Sequence, residues 1–318
     1  MPTIFTQGAA SAQGFGFAGK KPPPAIGAIG IFALGLTTCC AVGVRNKYTF
    51  ATDTNGAASA ASVFSYFGAA AGNSTRGIFA LGATNTGLTA TRNKYTYACD
   101  ASGSATSSSN ASSEGAAAGN STRGIFALGV IGIAATTTRN KYTYACDING
   151  TATASSAASR GASAAGNSTR GIFARGFCCG ATTTRYKYTY ACDANGSASC
   201  ASAASYIGAA VGNSTRGIFA LGRTSACPFG SAIRNKYTYS SDTSATTTAA
   251  SIASRFLSAT GNSTRGIFAL GQCATSTCVI NTRVKYTYAC DTNGSAAAAT
   301  VASTRGSAAS NGTCGVNI

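Results

Sequence analysis

The sequence predicts an all-β protein built from six copies of one four-stranded unit. The segment GNSTRGIFALG begins at Gly72 and recurs from Gly119, Gly212 and Gly261, and a copy with one substitution begins at Gly166. A second segment close to TRNKYTYACD follows each copy. The glycine that opens GIF stands at positions 30, 77, 124, 171, 217 and 266, so the spacings are 47, 47, 47, 46 and 49 residues. Such a regular spacing predicts a repeat architecture.

The first half of a unit favours two strands joined by a turn. Residues 69–71 are short and apolar, and residues 72–75 (GNST) are typical of a turn, because Gly and Asn tolerate positive φ. Residues 78–81 (IFAL) form a continuous apolar run, which predicts a strand covered on both faces. The following loop varies between copies in length and composition, as surface loops do.

The second half of a unit also predicts β structure. Polar and aromatic residues alternate in KYTY, which places Tyr95 and Tyr97 on one face of a strand. Asp100 and the small residues after it predict a turn, and the Ser/Ala-rich residues 105–112 predict an outer edge strand. No segment shows helical periodicity. We therefore expect four antiparallel strands in each unit.

Four strands per unit and six units predict a single β-propeller over residues 25–318. Six blades are expected, and the alternative is seven, with the last blade made jointly from residues 1–19 and 307–318. Residues 307–316 resemble the start of another unit, whereas the first unit lacks its GNSTR segment. We therefore expect the C-terminal strand to complete the first blade, which removes the exposed sheet edge.

The layout of the repeat resembles the blades of kelch-type propellers. GIFALG matches the apolar second strand that ends in glycines, and RNKYTYACD matches the third strand with its aromatic residues and closing Asp. The chain departs from that pattern because Leu-Gly or Arg-Gly replaces the double glycine and Trp is absent. The resemblance implies a rigid disc whose variable loops form a contact surface. These loops are residues 36–44, 83–90, 130–137, 177–183, 223–232 and 272–281.

The chain carries 24 Lys and Arg against 7 Asp and Glu, a net charge of +17. Repeat positions supply 17 of the cations and six of the acids, so the repeats contribute 17 − 6 = +11 and the remainder 7 − 1 = +6. A charge copied around an array favours a scaffold role and disfavours nucleic acid as the partner.

Two of the repeated charged positions are predicted to be structural. An Asp at a strand end accepts backbone hydrogen bonds, and an Arg can bridge blades. We expect the Arg of STRG to pair with the Asp of an adjacent blade. The predicted structural positions are Arg76, Arg123, Arg170, Arg216, Arg265, Asp53, Asp100, Asp147, Asp193, Asp242 and Asp291.

The composition disfavours catalysis. The chain has no His, and Glu114 is its single acid outside the repeats, so no unit holds the carboxylate pair of glycosidase chemistry. We predict no catalytic residue, no metal site and no cofactor. Of thirteen cysteines, four occupy a position at which other copies have Ser or Thr, which indicates a need for a small side chain. Free thiols are expected, with Cys273 and Cys278 as candidates for a loop disulfide.

Residues 1–24 lie outside the repeat and are predicted to form an N-terminal arm. A small-residue segment carries Phe15 and Phe17, and Lys20 and Lys21 precede three prolines that favour an extended spacer. The opening lacks the order of a signal peptide, and no apolar run reaches the length of a membrane span. The arm resembles the openings of tailed-bacteriophage virion proteins that dock a fibre or appendage. This resemblance implies that Phe15, Phe17, Lys20 and Lys21 form an attachment site.

The two resemblances imply a non-enzymatic component of a bacteriophage virion, made in the host cytoplasm. The implied partners are other virion proteins and an acidic host-surface glycan, without membrane insertion. The alternative is a bacterial kelch-like propeller that binds proteins in the cytoplasm or at the cell surface. A third hypothesis is a basic nucleic-acid-binding protein.

Overall fold

Six antiparallel sheets surround a central axis in the computed structural model, which describes residues 28–38, 40–224, 229–269, 271–273, 278–312 and 316–317. The described residues contain no helix. In chain order the strands are β1 (Ile29–Ala33), β2 (Arg45–Thr49), β3 (Thr54–Ala58), β4 (Ala69–Gly72), β5 (Arg76–Ala80), β6 (Ala83–Thr84), β7 (Gly87–Leu88), β8 (Arg92–Thr96), β9 (Ala101–Ala105), β10 (Ala116–Gly119), β11 (Arg123–Ala127), β12 (Val130–Ile131), β13 (Ala134–Ala135), β14 (Arg139–Thr143), β15 (Ile148–Ala152), β16 (Ser163–Gly166), β17 (Arg170–Ala174), β18 (Arg185–Thr189), β19 (Ala194–Ala198), β20 (Ser205–Tyr206), β21 (Ala209–Gly212), β22 (Arg216–Ala220), β23 (Arg223–Thr224), β24 (Arg234–Thr238), β25 (Thr243–Thr247), β26 (Ser254–Arg255), β27 (Ser258–Gly261), β28 (Arg265–Ala269), β29 (Gln272–Cys273), β30 (Arg283–Thr287), β31 (Thr292–Ala296), β32 (Ser307–Ser310) and β33 (Val316–Asn317).

The chain forms a six-bladed β-propeller with four strands in each blade, as the sequence predicts. From the axis outwards, the blades have the strand orders β32-β1-β2-β3, β4-β5-β8-β9, β10-β11-β14-β15, β16-β17-β18-β19, β21-β22-β24-β25 and β27-β28-β30-β31.

The C-terminal strand β32 completes the first blade, which confirms the expected closure. It pairs antiparallel with β1, and Gly30 lies opposite Ser310. The seven-bladed alternative is wrong, because residues 307–310 are used in this first blade. The last short strand, β33, pairs with β16 at the innermost edge of the fourth blade.

Small residues occupy the innermost strands because six strands converge on the axis. All four residues of the inner strand β4 are buried. The same holds for the inner strands of the other blades, which are β10, β16, β21, β27 and β32. A Cβ at Gly124 would lie 3.0 Å from the Cβ of Ala71 in the neighbouring blade, which leaves no room for a side chain there.

The hydrophobic core lies between neighbouring blades. Phe79 and Tyr95 of the second blade pack against Ile29 and Ile31 of the first, and the equivalent contacts recur around the propeller. Tyr95 and Tyr97 share one buried face, as predicted, with ring centroids 5.6 Å apart. Burial of one such large apolar side chain contributes about 1.5–3 kcal/mol.

The outer strand begins earlier than the sequence indicates. In the second blade it is β9, Ala101–Ala105, whereas residues 105–112 were the expected edge strand. Asp100 adopts a φ of 51°, so the chain reverses at this residue and the outer strand follows at once. Residues 106–115 are instead the linker that leads back to the axis and into the next blade.

These linkers and the loops between the second and third strands meet on one side of the propeller, which we call the loop face. In the second blade, Tyr66 of the linker pairs with Ala83 at the start of the loop. Ser112 of the next linker pairs with Thr89 at the end of the same loop. Loops and linkers therefore join successive blades across this face.

Candidate ligand-binding site on the loop face

The arginine that begins each third strand holds two blades together and is inaccessible to a ligand. The guanidinium carbon of Arg45 lies 4.5 Å from the ring centroid of Phe79 in the next blade. Arg45 also donates hydrogen bonds to Ser102 Oγ at 2.8 Å and to Asn93 Oδ1 at 3.2 Å. Burial lowers the pKa of Arg45 to about 10, so it stays charged at neutral pH. The six arginines are 0–2% exposed: Arg45, Arg92, Arg139, Arg185, Arg234 and Arg283.

The repeated lysine and aspartate form a closed ring of ion pairs between blades. Lys94 Nζ lies 2.8 Å from Asp147 Oδ2, and Asp147 Oδ1 accepts hydrogen bonds from the Tyr142 hydroxyl and the Thr106 backbone N–H. Burial opposes ionisation, but these hydrogen bonds and the lysine charge lower the pKa of Asp147. The six pairs are Lys47–Asp100, Lys94–Asp147, Lys141–Asp193, Lys187–Asp242, Lys236–Asp291 and Lys285–Asp53.

The arginine of STRG bridges blades in a different way from the one expected. Arg76 Nη1 donates to the carbonyl oxygen of Tyr144 in the next blade at 2.8 Å. The others donate to the equivalent carbonyls: Arg123 to Tyr190, Arg170 to Tyr239, Arg216 to Tyr288 and Arg265 to Phe50.

The expected pairing of this arginine with Asp is wrong at four of the five positions. Among the described residues, Arg216 alone reaches a carboxylate, at 3.2 Å from Asp291 Oδ1. The other aspartates already accept hydrogen bonds from a Lys, a Tyr and a backbone N–H, as Asp147 does. No such backbone bond to Asp291 is formed within the described residues, which leaves its Oδ1 open to Arg216.

Most of the Lys and Arg residues outside the repeat positions lie on the loop face. Seven of the 24 cations are outside the repeat positions, and Lys20 and Lys21 of these lie outside the described residues, as do Phe15 and Phe17. The other five are in linkers or loops of the loop face: Arg160, Arg175, Arg223, Arg255 and Arg305. Glu114 is the one acid outside the repeats, and it lies on the same face. All the cations that lie outside the repeat positions and within the described residues are therefore on this face.

Each linker reaches the axis through a serine followed by two residues that differ from blade to blade. The pairs of differing residues are Tyr66–Phe67, Ser113–Glu114, Arg160–Gly161, Tyr206–Ile207, Arg255–Phe256 and Thr304–Arg305. Reasoning from sequence overlooked these pairs as a site. The sequence does mark them: in every linker, two variable residues stand between a constant serine and the small residues of the inner strand.

The second residues of these pairs form a closed ring of backbone hydrogen bonds around the axis. Glu114 N–H donates to the Phe67 carbonyl at 3.0 Å, and the ring continues through Gly161, Ile207, Phe256 and Arg305 with bonds of 2.8–3.2 Å. All six residues have a φ between 52° and 58°. The ring therefore places five side chains, those of Phe67, Glu114, Ile207, Phe256 and Arg305, around the propeller axis on the loop face, and we call this place the axial mouth.

A shallow pocket that is open to solvent lies at the axial mouth. It is lined by Phe67, Glu114, Ile207, Phe256 and Arg305 together with small linker residues. The guanidinium carbon of Arg305 lies 4.7 Å from the ring centroid of Phe67 and 4.6 Å from that of Phe256. Two aromatic rings therefore orient one arginine at the pocket.

Arg305 and Glu114 are both partly buried at this pocket, and neither neutralises the other. They interact electrostatically, but no ion pair joins them. Arg305 Nε is buried without a hydrogen-bond partner. Burial raises the pKa of Glu114, and the charges of Arg160 and Arg305 lower it to a smaller extent. The pocket thus offers one cation and one weakly acidic carboxyl group.

Arginine and aromatic side chains continue from the pocket across the fourth and fifth blades. Arg160 lies 5.3 Å from the ring centroid of Phe177, and Phe177 lies 5.2 Å from Tyr206. The guanidinium carbon of Arg223 lies 5.4 Å from the ring centroid of Tyr206. Cation–π contacts of this kind contribute about 0.5–1 kcal/mol at exposed sites and fix the arginine orientation.

The loop between the second and third strands of the sixth blade contains a disulfide between two cysteines that are five residues apart. Cys273 and Cys278 are bonded, with their Cα atoms 5.5 Å apart, and the Cys273 backbone N–H donates to the Cys278 carbonyl at 2.9 Å. The repeat-position thiols are free and exposed: Cys99, Cys146, Cys192 and Cys290.

The described part of the chain offers neither a cluster of metal ligands nor a membrane-spanning helix. No group of three His, Cys, Asp or Glu side chains there could hold a metal ion. None of its segments forms a helix long and apolar enough to cross a membrane.

Comparison with known proteins adds no assignment. No protein-family model matches the chain, and no curated protein matches its sequence.

Proposed function

We propose that this protein is a non-enzymatic binding propeller that forms part of a bacteriophage virion, in a tail, fibre or other appendage, and contacts the host surface. One observation carries the binding role. The blades are nearly identical where they pack together. Apart from the outer strands, the residues that differ lie mainly on the loop face and at the axial mouth. Binding residues held on loops by a rigid scaffold are the usual arrangement of interaction proteins.

The virion assignment is supported by the sequence resemblances. The kelch-like blade layout and the arm of residues 1–24 both resemble phage tail and fibre proteins. The arm is the proposed attachment segment, through Phe15, Phe17, Lys20 and Lys21. The loop face would then point away from the particle toward the host.

Mass spectrometry of gradient-purified particles from the source culture tests the virion assignment. The chain is expected at a stoichiometric level, and deletion of residues 1–24 is expected to remove it from particles while the propeller still folds. Absence of the full-length chain from particles overturns the assignment.

The second candidate is a bacterial protein-binding or surface propeller. It is favoured by the axial mouth, where six described residues form a closed ring of hydrogen bonds. A chain that binds cells or a cellular protein through the loop face but is absent from particles supports this candidate.

Nucleic-acid binding is the third candidate, and the cations disfavour it. Thirteen of the 22 Lys and Arg in the described residues are buried or ion-paired. A salt titration with nonspecific DNA tests it, because counterion release makes such binding fall steeply with salt. A slope near zero excludes this function.

A further inference from the structure

We propose that the axial mouth is a binding site for a carboxylate-bearing sugar residue, as found in acidic polysaccharides. This inference rests on the proposed binding function and specifies its ligand. It follows from three kinds of group that meet in one pocket: a guanidinium, a carboxyl group and aromatic faces.

Arg305 supplies the group that recognises the carboxylate. Its guanidinium is held over Phe67 and Phe256, and it forms no ion pair or side-chain hydrogen bond with the described residues. A planar guanidinium that is already oriented binds a carboxylate through two parallel hydrogen bonds and loses little side-chain entropy in doing so.

Arg255 and Arg160 extend the positive potential around the pocket. The Arg255 guanidinium carbon lies 5.5 Å from the aromatic ring centroid of Phe256. Arg160 is exposed and directly precedes Gly161 of the axial mouth. Both are close enough to Arg305 or Glu114 to influence their ionisation. The pocket therefore attracts an anion even though it contains Glu114.

Glu114 and the aromatic rings distinguish a sugar from a simple anion. The Glu114 carboxyl group can accept hydrogen bonds from the several ring hydroxyl groups that a sugar acid carries besides its carboxylate. The partly exposed rings of Phe67 and Phe256 present apolar surface to the C–H face of a pyranose ring.

The test measures the affinity of the full-length protein for acidic oligosaccharides by titration calorimetry. The probes are a galacturonic acid trimer, a glucuronic-acid-containing tetrasaccharide and an N-acetylneuraminic acid dimer, each compared with its carboxyl-reduced form. At least one acid is expected to bind about tenfold or more tightly than its reduced form, because the reduced form lacks the charged hydrogen bonds.

Variants then locate the site. Arg305→Gln is expected to reduce that affinity about tenfold or more, and Arg305→Lys to restore part of it. The matched control is Arg175→Leu, which removes one charge from the same face without touching the pocket. It restores the leucine of the equivalent positions Leu81, Leu128 and Leu221. Thermal unfolding of each variant confirms that the propeller is intact.

Three outcomes overturn the proposal. The first is that no acid binds better than its reduced form. The second is that Arg305→Gln and Arg175→Leu weaken binding equally, which indicates nonspecific charge. The third is that inorganic phosphate or a short single-stranded oligonucleotide displaces the sugar at equal concentration. If no acid binds better than its reduced form but the protein still binds host cells, this inference is wrong and the proposed function stands. If the protein is absent from particles and does not bind cells, the proposed function itself is wrong.

Discussion

The backbone N–H of Phe67 donates a hydrogen bond to the carbonyl oxygen of Arg305 at 2.8 Å. This bond joins the first linker of the chain to the last and closes the ring at the axial mouth. Strand β32 closes the first blade immediately after Arg305, so both closures depend on the C-terminal residues.

Removal of the closing strand is expected to abolish the folded monomer. A chain that ends at residue 306 lacks the buried Ala308 and Ala309 and leaves β1 as an exposed edge strand, which promotes association. We expect aggregation on size-exclusion chromatography and no cooperative thermal transition. A chain that ends at residue 312 keeps β32 and is the control, and it should elute as a monomer. Equal melting curves for the two truncations would contradict the role of β32.

Val284→Asn is expected to stabilise the propeller by about 1 kcal/mol, because it supplies a missing hydrogen-bond acceptor. Val284 occupies the position of Asn93, whose Oδ1 accepts from Arg45 Nη2 and from the Ser62 backbone N–H. At Val284 the facing Arg234 Nη2 is buried without a partner.

Urea unfolding of Val284→Asn and Val284→Thr measures this effect. Threonine has nearly the same shape as valine but is too short to reach the guanidinium, so it controls for a change in polarity. A Val284→Asn protein that is less stable than the parent would show that valine packing outweighs the hydrogen bond.

Asp147→Ala is expected to destabilise the propeller by about 2–4 kcal/mol, and Asp147→Asn by about half as much. Alanine removes the partner of Lys94, Tyr142 and the Thr106 backbone N–H, and it must also adopt a φ of 55°. Asparagine loses the charge but tolerates positive φ and keeps one acceptor oxygen. Chemical denaturation measures both variants, and equal losses would show that backbone conformation has no part in the effect.

Stability is expected to decrease below about pH 4 because the six aspartates must be protonated. The pKa of Asp53 is lowered to about 2, since hydrogen bonds from Lys285, Tyr48 and a backbone N–H outweigh the effect of burial. The unfolded chain has an ordinary Asp pKa of about 3.9 and binds more protons in this range. The aspartates therefore stabilise the fold above pH 4, and this contribution is lost as the pH falls toward 2.

Urea denaturation at a series of pH values between 7 and 2 measures this loss. Lys94→Met is the informative variant, because it removes one of the lysines that lower an aspartate pKa. It should show a shallower decrease with pH, and an unchanged slope would contradict the role of the ion pairs.

The number of blades, their four strands and the closure by the C-terminal strand could be predicted from the sequence. Spacing, turn residues and alternation are local properties. GIFA occurs in all six copies, and KYTY occurs in five, with KYTF in the first. The start of the outer strand was misplaced because it depends on the positive φ of Asp100, which sequence alone does not specify.

The partner of each charged residue was decided only by the tertiary structure. The sequence shows that Arg76, Lys94 and Asp147 repeat together. The packing of neighbouring blades places Lys94 beside Asp147, whereas Arg76 donates to the backbone carbonyl of Tyr144. The axial mouth is the clearest example. Phe67, Glu114, Phe256 and Arg305 are separated by dozens to hundreds of residues, and only the closed ring of linkers brings them into one pocket. Repetition therefore determines the scaffold, and the ring geometry determines which of the differing residues meet.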